Sequence, residues 1–455
     1  MKIEFLHTEP DNTRLILVYT GWSAGPETGR GISLPGWDVA VVHDFSDLSL
    51  DTSFLDRYYT VYLFAWSLGV FAAHATLPAD RITAAFAING TLTPVDDLHG
   101  IPAAIFNGTA DGLNERNLMK FRMRMASDRE AYNRFMAALE EELGEERIEN
   151  LRGQLRNIAG AAERRVQRQS LPWVRAYISK HDRIFPPENM HRAWRHEDDT
   201  EIVELEASHL VELREIVRMV ISDPVKVSEK FSKASISYDT HAIAQYSAAI
   251  KLADMLRGMN PATEGNLLEI GCGTGLFTRE YSRFIKPRLA TFVDITETGP
   301  FGIAAEEEYV VEDAERWIER QRREWDVIVS ASAIQWFADI PRFLHECHRH
   351  LRSGGVMAIS TFLPGNMEEL DALRPSPLLY PKAEQLREWM SRDFCDVEVR
   401  EDEIRVEFRS AREMLMHLKH TGVGGSAPSS RLSIKDMAHL RSLTYRPVYV
   451  VGRKG

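Results

Sequence analysis

The run Leu267-Leu-Glu-Ile-Gly-Cys-Gly-Thr-Gly-Leu276 constrains this chain more than any other stretch. Apolar residues with the look of a buried strand lead into Glu269. A turn follows through Gly271, Gly273 and Gly275, and helical sequence begins after it. Such a turn brings backbone N–H groups and a helix N-terminus against a nucleotide-like ligand, with no Cβ in the way. The spacing is G-x-G-x-G and lacks the third glycine position of the dinucleotide fingerprint. Further strands are expected at 289–294, 309–313, 325–330 and 356–361, the rhythm of an α/β domain with a parallel sheet. Acids mark the ends of the first three strands: Glu269, Asp294 and Asp313. A carboxylate at Asp294 can accept both ribose hydroxyls of a bound nucleoside. Asp313, with Ala314 behind it, stands where an adenine amino group would lie.

The first half has its own strand–turn–helix. Expected strands at 15–20, 39–43 and 59–65 end in a third turn, Trp66-Ser67-Leu68-Gly69, ahead of a helical pattern at 70–76. A serine at the apex of such a turn is the setting of a nucleophile elbow, here A-x-S-x-G with Ala65 in the first small position. It is inert without a base and an orienting acid. Expected strands at 173–178 and 202–206 are followed by Asp182 and His209. Ser67, Asp182 and His209 therefore fall on the carboxyl rim of one parallel sheet. Asp111 is the rival acid, but it precedes a helical insertion instead of following the penultimate strand. An oxyanion formed at Ser67 needs two N–H donors. Leu68 and Trp22 supply candidates, since the turn after the first strand faces the elbow. Residues 111–170 read as an arginine-rich helical lid, and Arg122, Arg124, Arg152 and Arg156 suggest a docking face for an acidic partner.

At 455 residues the chain calls for more than one domain. A polar, proline-marked connector at 223–230 divides it into domains 1–222 and 231–455. The net charge of −12 argues against non-specific nucleic-acid binding. No run has the apolar length of a membrane span. Cys272, Cys347 and Cys395 are too scattered for a disulfide framework or zinc site, so no metal is expected and a reduced cytoplasmic compartment is.

Two resemblances sharpen this reading. The acid-tipped strand running into Gly271-Cys-Gly-Thr-Gly275 resembles motif I of class I S-adenosylmethionine (SAM) methyltransferases. Together with Phe231-Ser-x-Ala, Tyr238, Gln335-Trp336, Leu418-Lys419 and the Leu443-Thr-Tyr ending, it makes residues 228–455 resemble BioC-type malonyl-ACP O-methyltransferases. After Asp294 the sequence departs from the usual pattern, with Ile-Thr-Glu-Thr-Gly-Pro-Phe in place of a longer helical stretch. Gly21-Trp22, Trp66-Ser67-Leu-Gly, Lys120-Phe-Arg-Met-Arg, Asp182-Arg-Ile-Phe-Pro-Pro and Ser208-His209 make nearly all of 1–222 resemble BioG-type pimeloyl-ACP methyl ester esterases, which are α/β-hydrolases.

The resemblances imply an α/β-hydrolase with a helical lid followed by a Rossmann-like methyltransferase, with SAM as co-substrate and acyl carrier protein as partner. They imply capping of a malonyl carboxylate as its methyl ester and, after elongation elsewhere, uncapping by Ser67. A carboxylate acceptor is already ionised at pH 7, so methyl transfer needs placement and dryness more than a base. Tyr238, Gln335 and Trp336 suit that, with Lys419 as a cationic clamp. Two other readings fit the same residues. In one the first half is a non-catalytic carrier-docking module. In the other a small-molecule methyltransferase is fused to a general esterase.

Overall fold

In the computed structural model the chain forms two compact units, Met1–Val217 and Arg218–Gly455. The structure describes residues 1–139, 143–164, 170–197, 199–371, 373, 378–421, 435 and 437–455, and at 233–237 the backbone only.

The first unit is built on β1 (Lys2–His7), β2 (Arg14–Tyr19), β3 (Trp37–His43), β4 (Thr60–Trp66), β5 (Ala84–Ile88), β6 (Trp173–Ser179) and β7 (Glu201–Leu205). They form one sheet in the order β1-β3-β2-β4-β5-β6-β7. Only β1 runs antiparallel to its neighbour. β2, β4 and β5 are buried along their whole length, as near-continuous apolar runs in a parallel sheet must be. Strand order reverses between β2 and β4, and the crevice beyond the carboxyl ends of such a pair is where ligands enter. The loop Gly21–Trp22 and Ser67 flank that crevice.

Around the sheet lie α1 (Leu68–Thr76), α2 (Ala103–Asp111), α3 (Glu115–Met125), α4 (Arg129–Ala138), α5 (Glu145–Glu163), α6 (Pro187–Trp194) and α7 (Leu213–Val220). The helical insertion thus begins at Ala103, ahead of the expected 111. Pro102 fixes the entry to α2, while Asn107 and Gly108 weaken its helical signature in the sequence.

The second unit opens with α8 (Pro224–His241) and α9 (Ile243–Gly258). This corrects the connector expected at 223–230. Asp223 caps α8 by accepting from Val225 N–H at 3.0 Å, and Pro224 takes the first turn, where its missing N–H costs nothing. The features that resembled a loop are a helix start. There follow β8 (Asn266–Ile270), α10 (Leu276–Tyr281), β9 (Leu289–Asp294), β10 (Glu306–Val311), α11 (Ala314–Glu319) and β11 (Trp325–Ala331). The chain continues with α12 (Ile340–Arg349), β12 (Leu351–Phe362), α13 (Ala383–Ser391), β13 (Cys395–Glu401), β14 (Ile404–Glu407), α14 (Ala411–His420), β15 (Ser442–Tyr445) and β16 (Pro447–Arg453). The main sheet has the order β10-β9-β8-β11-β12-β16-β13, with β16 antiparallel to both neighbours. β14 and β15 form a separate ribbon. Apolar clusters cover both sheet faces. Leu268, Ile328, Met357 and Leu386 pack on one, and Leu252, Phe277, Val329 and Tyr449 on the other. Order reverses between β8 and β11, so the glycine turn after β8 borders the crevice of this sheet.

No described helix is long and apolar enough to cross a membrane. No cluster of three or more His, Cys, Asp or Glu among the described residues could hold a metal ion.

Candidate active sites

Ser67 joins β4 to α1 with φ 59° and ψ −129°, a strained conformation for a residue with a Cβ. Gly69 permits the tight packing beneath it, since a Cβ there would stand 2.4 Å from the Thr20 carbonyl oxygen. Ser67 Oγ lies 2.9 Å from His209 Nε2, and His209 Nδ1 lies 2.7 Å from Asp182 Oδ2. The other Asp182 oxygen accepts from Ile184 N–H at 2.7 Å and Phe185 N–H at 2.9 Å. With both oxygens engaged the carboxylate is fixed in place, and the Phe185 ring lies parallel to the His209 imidazole. His209 has no exposed surface. Asp111, the rival acid, is exposed at the end of α2 and takes no part.

The backbone N–H groups of Leu68 and Trp22 have no hydrogen-bond partner among the described residues. Leu68 is the first residue of α1, where such a donor has no intrahelical acceptor. A Cβ built on Gly21 would stand 3.1 Å from Ser67 Cβ, so the Trp22 turn does close on the serine. The Trp22 indole donates to Leu151 O of α5 at 2.9 Å and meets Phe121 of α3 edge-on. Ile101, Ile105, Phe106, Phe121, Leu155 and Ile184 make an apolar pocket above Ser67.

Asn89 was not evident from sequence. It follows β5 with φ 48° and is fully buried. Its amide nitrogen reaches Ser179 Oγ at 2.9 Å and the carbonyls of Ser208 and His209 at 3.2 and 3.0 Å. Its oxygen accepts from Ser179 N–H at 2.8 Å. Trp66 Nε1 also donates to His209 O, at 3.0 Å. The loops carrying Asp182 and His209 are thereby tied to the serine strand. A single asparagine after an alanine-rich segment gives no signal of that role.

Two of the four lid arginines are engaged with backbone carbonyls, one buried and one half-buried. Arg122 is fully buried and donates to Ser23 O at 3.0 Å. Arg152 clamps α5 to its neighbours, donating to Ala110 O at 3.2 Å and Leu113 O at 2.7 Å and pairing with Glu149. Counting arginines in a helical region could not separate these from Arg124 and Arg156, which are exposed. Replacing Arg152 with Ala should lower stability by about 1–3 kcal/mol, since two carbonyls lose their donor. Replacing Arg156 should leave it unchanged, and thermal melts of the two variants check the contrast.

In the second unit Gly271, Gly273 and Gly275 have φ values of 69°, 51° and 80°. A Cβ on Gly271 would stand 2.3 Å from Ala333 Cβ, and one on Gly275 2.6 Å from the Phe301 ring. A Cβ on Gly273 would meet nothing, so this glycine faces open space. Asp294 accepts from Gly273 N–H at 2.9 Å through one oxygen, and from Thr296 N–H and Oγ1 at 2.9 and 2.8 Å through the other. It braces the glycine turn as well as ending β9. Asp313 caps α11, accepting from Glu315 N–H at 3.0 Å, and Ala314 is buried behind it. β10 itself ends at Val311. A cleft of about 560 Å³ runs between α8 and these strand ends, lined by Val225, Ser228, Ile295, Val311 and Glu312. Glu229 and Ser232 complete a lining that mixes apolar and polar groups, and Ile295 in it directly follows Asp294, the residue that braces the glycine turn.

Glu269 is the exception among the acids. It is 1% exposed, and its Oε2 accepts from Thr278 Oγ1 at 2.7 Å and Tyr281 OH at 2.6 Å. It locks β8 to α10 and does not open to the cleft. Burial pushes its carboxyl up to about 7 against those two hydrogen bonds. A carboxyl whose pKa is raised on folding stabilises below its unfolded value, and that contribution fades as pH rises through the folded value. Stability should therefore decline by up to ~3 kcal/mol between about pH 4.5 and 7. Glu269→Gln should flatten that decline in denaturant titrations at a series of pH values.

Phe231 brings two of the expected acceptor residues together, meeting Trp336 at 5.8 Å and Tyr238 at 6.5 Å, both edge-on. Gln335 Nε2 donates to Ser332 O at 2.6 Å, and Thr361 Oγ1 lies 3.4 Å from its oxygen. Asp239 of α8 accepts from Thr274 of the glycine turn and from Arg279 at 2.6 Å, so α8 is held against the turn. Lys419 is exposed on α14 and makes no hydrogen bond or ion pair among the described residues.

A two-unit α/β chain whose second sheet is a Rossmann-type methyltransferase sheet is the class these features define. Comparison with known proteins agrees. Residues 238–420 match a family described as methyltransferase domain, and residues 1–216 match pimeloyl-ACP methyl esterase BioG. A malonyl-[acyl-carrier protein] O-methyltransferase of Bacteroides fragilis is 31% identical, spanning 98% of this chain and 94% of that protein. One of Porphyromonas gingivalis is 30% identical over 53% of this chain and 98% of its own length. The chain belongs to the malonyl-ACP O-methyltransferase family and carries a BioG domain ahead of its methyltransferase domain. A crystal structure of BioG from Haemophilus influenzae is 31% identical, covering 47% of this chain and 96% of that one with a TM-score of 0.43.

Proposed function

We propose that the chain is a bifunctional enzyme of biotin precursor synthesis. Its second unit methylates the free carboxylate of malonyl-ACP with SAM. Its first unit, an α/β-hydrolase, cleaves pimeloyl-ACP methyl ester to pimeloyl-ACP and methanol. The observation that carries this reading is the bonded series Ser67–His209–Asp182 in a chain that aligns end to end with a malonyl-ACP O-methyltransferase.

In the first unit His209 Nε2 takes the Ser67 proton as Oγ attacks the ester carbonyl, and Asp182 holds the imidazole in the tautomer that can do so. The Leu68 and Trp22 N–H groups receive the oxyanion. His209 returns the proton to the departing methanol. Water then attacks the acyl-serine with His209 again as base. In the second unit Gly273 and the Ile295–Val311 cleft would hold the nucleoside of SAM, whose sulfonium supplies the methyl group. Asp294 and Asp313 would address ribose and adenine with the acceptor positions their present hydrogen bonds leave. Tyr238, Gln335 and Trp336 would place the acceptor carboxylate and exclude water. Neutralising that carboxylate lets the growing acyl chain enter apolar tunnels that would penalise a charge.

One chain holding both activities must avoid undoing its own product. Malonyl and pimeloyl esters differ by four methylenes. Burying these in the pocket of Ile101, Ile105, Phe106 and Leu155 at about 0.8 kcal/mol each gives roughly 3 kcal/mol, on the order of a hundredfold preference for the longer ester. Hydrolysis rates for carrier-bound methyl esters of the two lengths test this, and equal rates would remove chain-length selection from the account.

A further inference from the structure

Gln245 is the one residue of the second unit whose side-chain amide is buried with neither end hydrogen-bonded, among the described residues. The residue is 5% exposed. Buried amides almost always find partners, and an exception calls for a ligand or another explicit cause. Its position in the fold gives that cause. α9 runs into β8 through the short connection 259–265, so the end of α9 lies at the amino edge of the sheet and its start at the carboxyl rim. Gln245 is in the first turn of α9, on that rim, with the glycine turn, Asp294 and Gln335. It is on the inward face, because Ala244, Ala248 and Ala249 beside it are buried. Ala244 belongs to the apolar cluster that holds Phe362 and Tyr445, and Ala248 to the one that holds Val329 and Ala358, so Gln245 lies where the two clusters adjoin, on the α9 side of β11 and β12.

We propose that Gln245 binds the amino-acid end of the methyl donor. This rests on the methyltransferase reading above. One unmet donor and one unmet acceptor on the same amide match a zwitterion. Nε2 would donate to its carboxylate, and Oε1 would accept from its ammonium. An acceptor carboxylate alone would satisfy only half of the group. In that reading the nucleoside falls to the glycine turn and the cleft beside α8.

The test compares two ligands on the full chain by calorimetry: S-adenosylhomocysteine, and 5′-methylthioadenosine, which has the same nucleoside and sulfur but no amino-acid end. Gln245→Met keeps the volume and removes both polar groups. It should weaken S-adenosylhomocysteine roughly 10- to 100-fold and leave 5′-methylthioadenosine unchanged. Gln245→Leu, which also removes both polar groups, should show the same selectivity if the Met variant does not fold. Equal weakening of both ligands, or no change in either, overturns the proposal while leaving the methyltransferase reading intact. A wild-type chain that binds neither ligand overturns both.

Discussion

Ser67→Ala should abolish release of pimeloyl-ACP from its methyl ester and leave methyl transfer to malonyl-ACP at the wild-type rate. The loss in kcat is expected at about four to six orders of magnitude, the scale seen when a serine nucleophile is removed from a bonded Ser–His–Asp series. Asp182→Asn should cost about 10⁴-fold, because the imidazole is then held in the wrong tautomer. The two substitutions make the same claim from opposite ends of the series. Ser67 is buried beneath α3 and α5, and alanine leaves the β4–α1 turn without a new clash, so the fold should persist. An esterase rate that survives Ser67→Ala would show that the 2.9 Å contact to His209 is not the catalytic one.

The second large effect is the reverse separation. Gly271→Ala places a methyl 2.3 Å from Ala333 Cβ at a φ of 69°. Strain and clash together amount to ~3 kcal/mol or more. If the glycine turn shifts away from the loop after β11, donor affinity drops on the order of a hundredfold. Methyl transfer should collapse while ester hydrolysis is untouched. Gly273→Ala is the informative neighbour. Its methyl meets no protein atom, so any loss of donor binding there, without loss of thermal stability, reports directly on occupancy of the open space it faces.

What the sequence revealed and what it hid have physical causes. The positions of Ser67 and Asp182 could be read because each follows an apolar run that becomes a buried strand, and His209 because it follows the alternating strand Glu201–Leu205; parallel strands put their carboxyl ends on one rim. The glycine turn was readable because positive φ demands glycine. β5 was hidden, since Ala84-Ala-Phe-Ala-Ile has weak strand propensity and owes its conformation to its place between β4 and β6. Asp223-Pro224 is a helix cap that composition alone cannot distinguish from a loop. Arg122 and Arg152 carry the charge of a docking residue but spend it on backbone carbonyls, and only the fold says which arginines point inward. Glu269 and Asp294 both end strands, yet one is locked into α10 and the other braces the glycine turn. That difference lies in Thr278 and Tyr281, which the motif does not include.

The measurement closest to the central claim is mass spectrometry of two carrier-bound substrates treated with one preparation of the full chain. With SAM present, malonyl-ACP should gain the mass of one methylene. Pimeloyl-ACP methyl ester should lose the same mass, and Ser67→Ala should retain the gain and lack the loss. A wild-type chain that performs the gain but never the loss would contradict the bifunctional account.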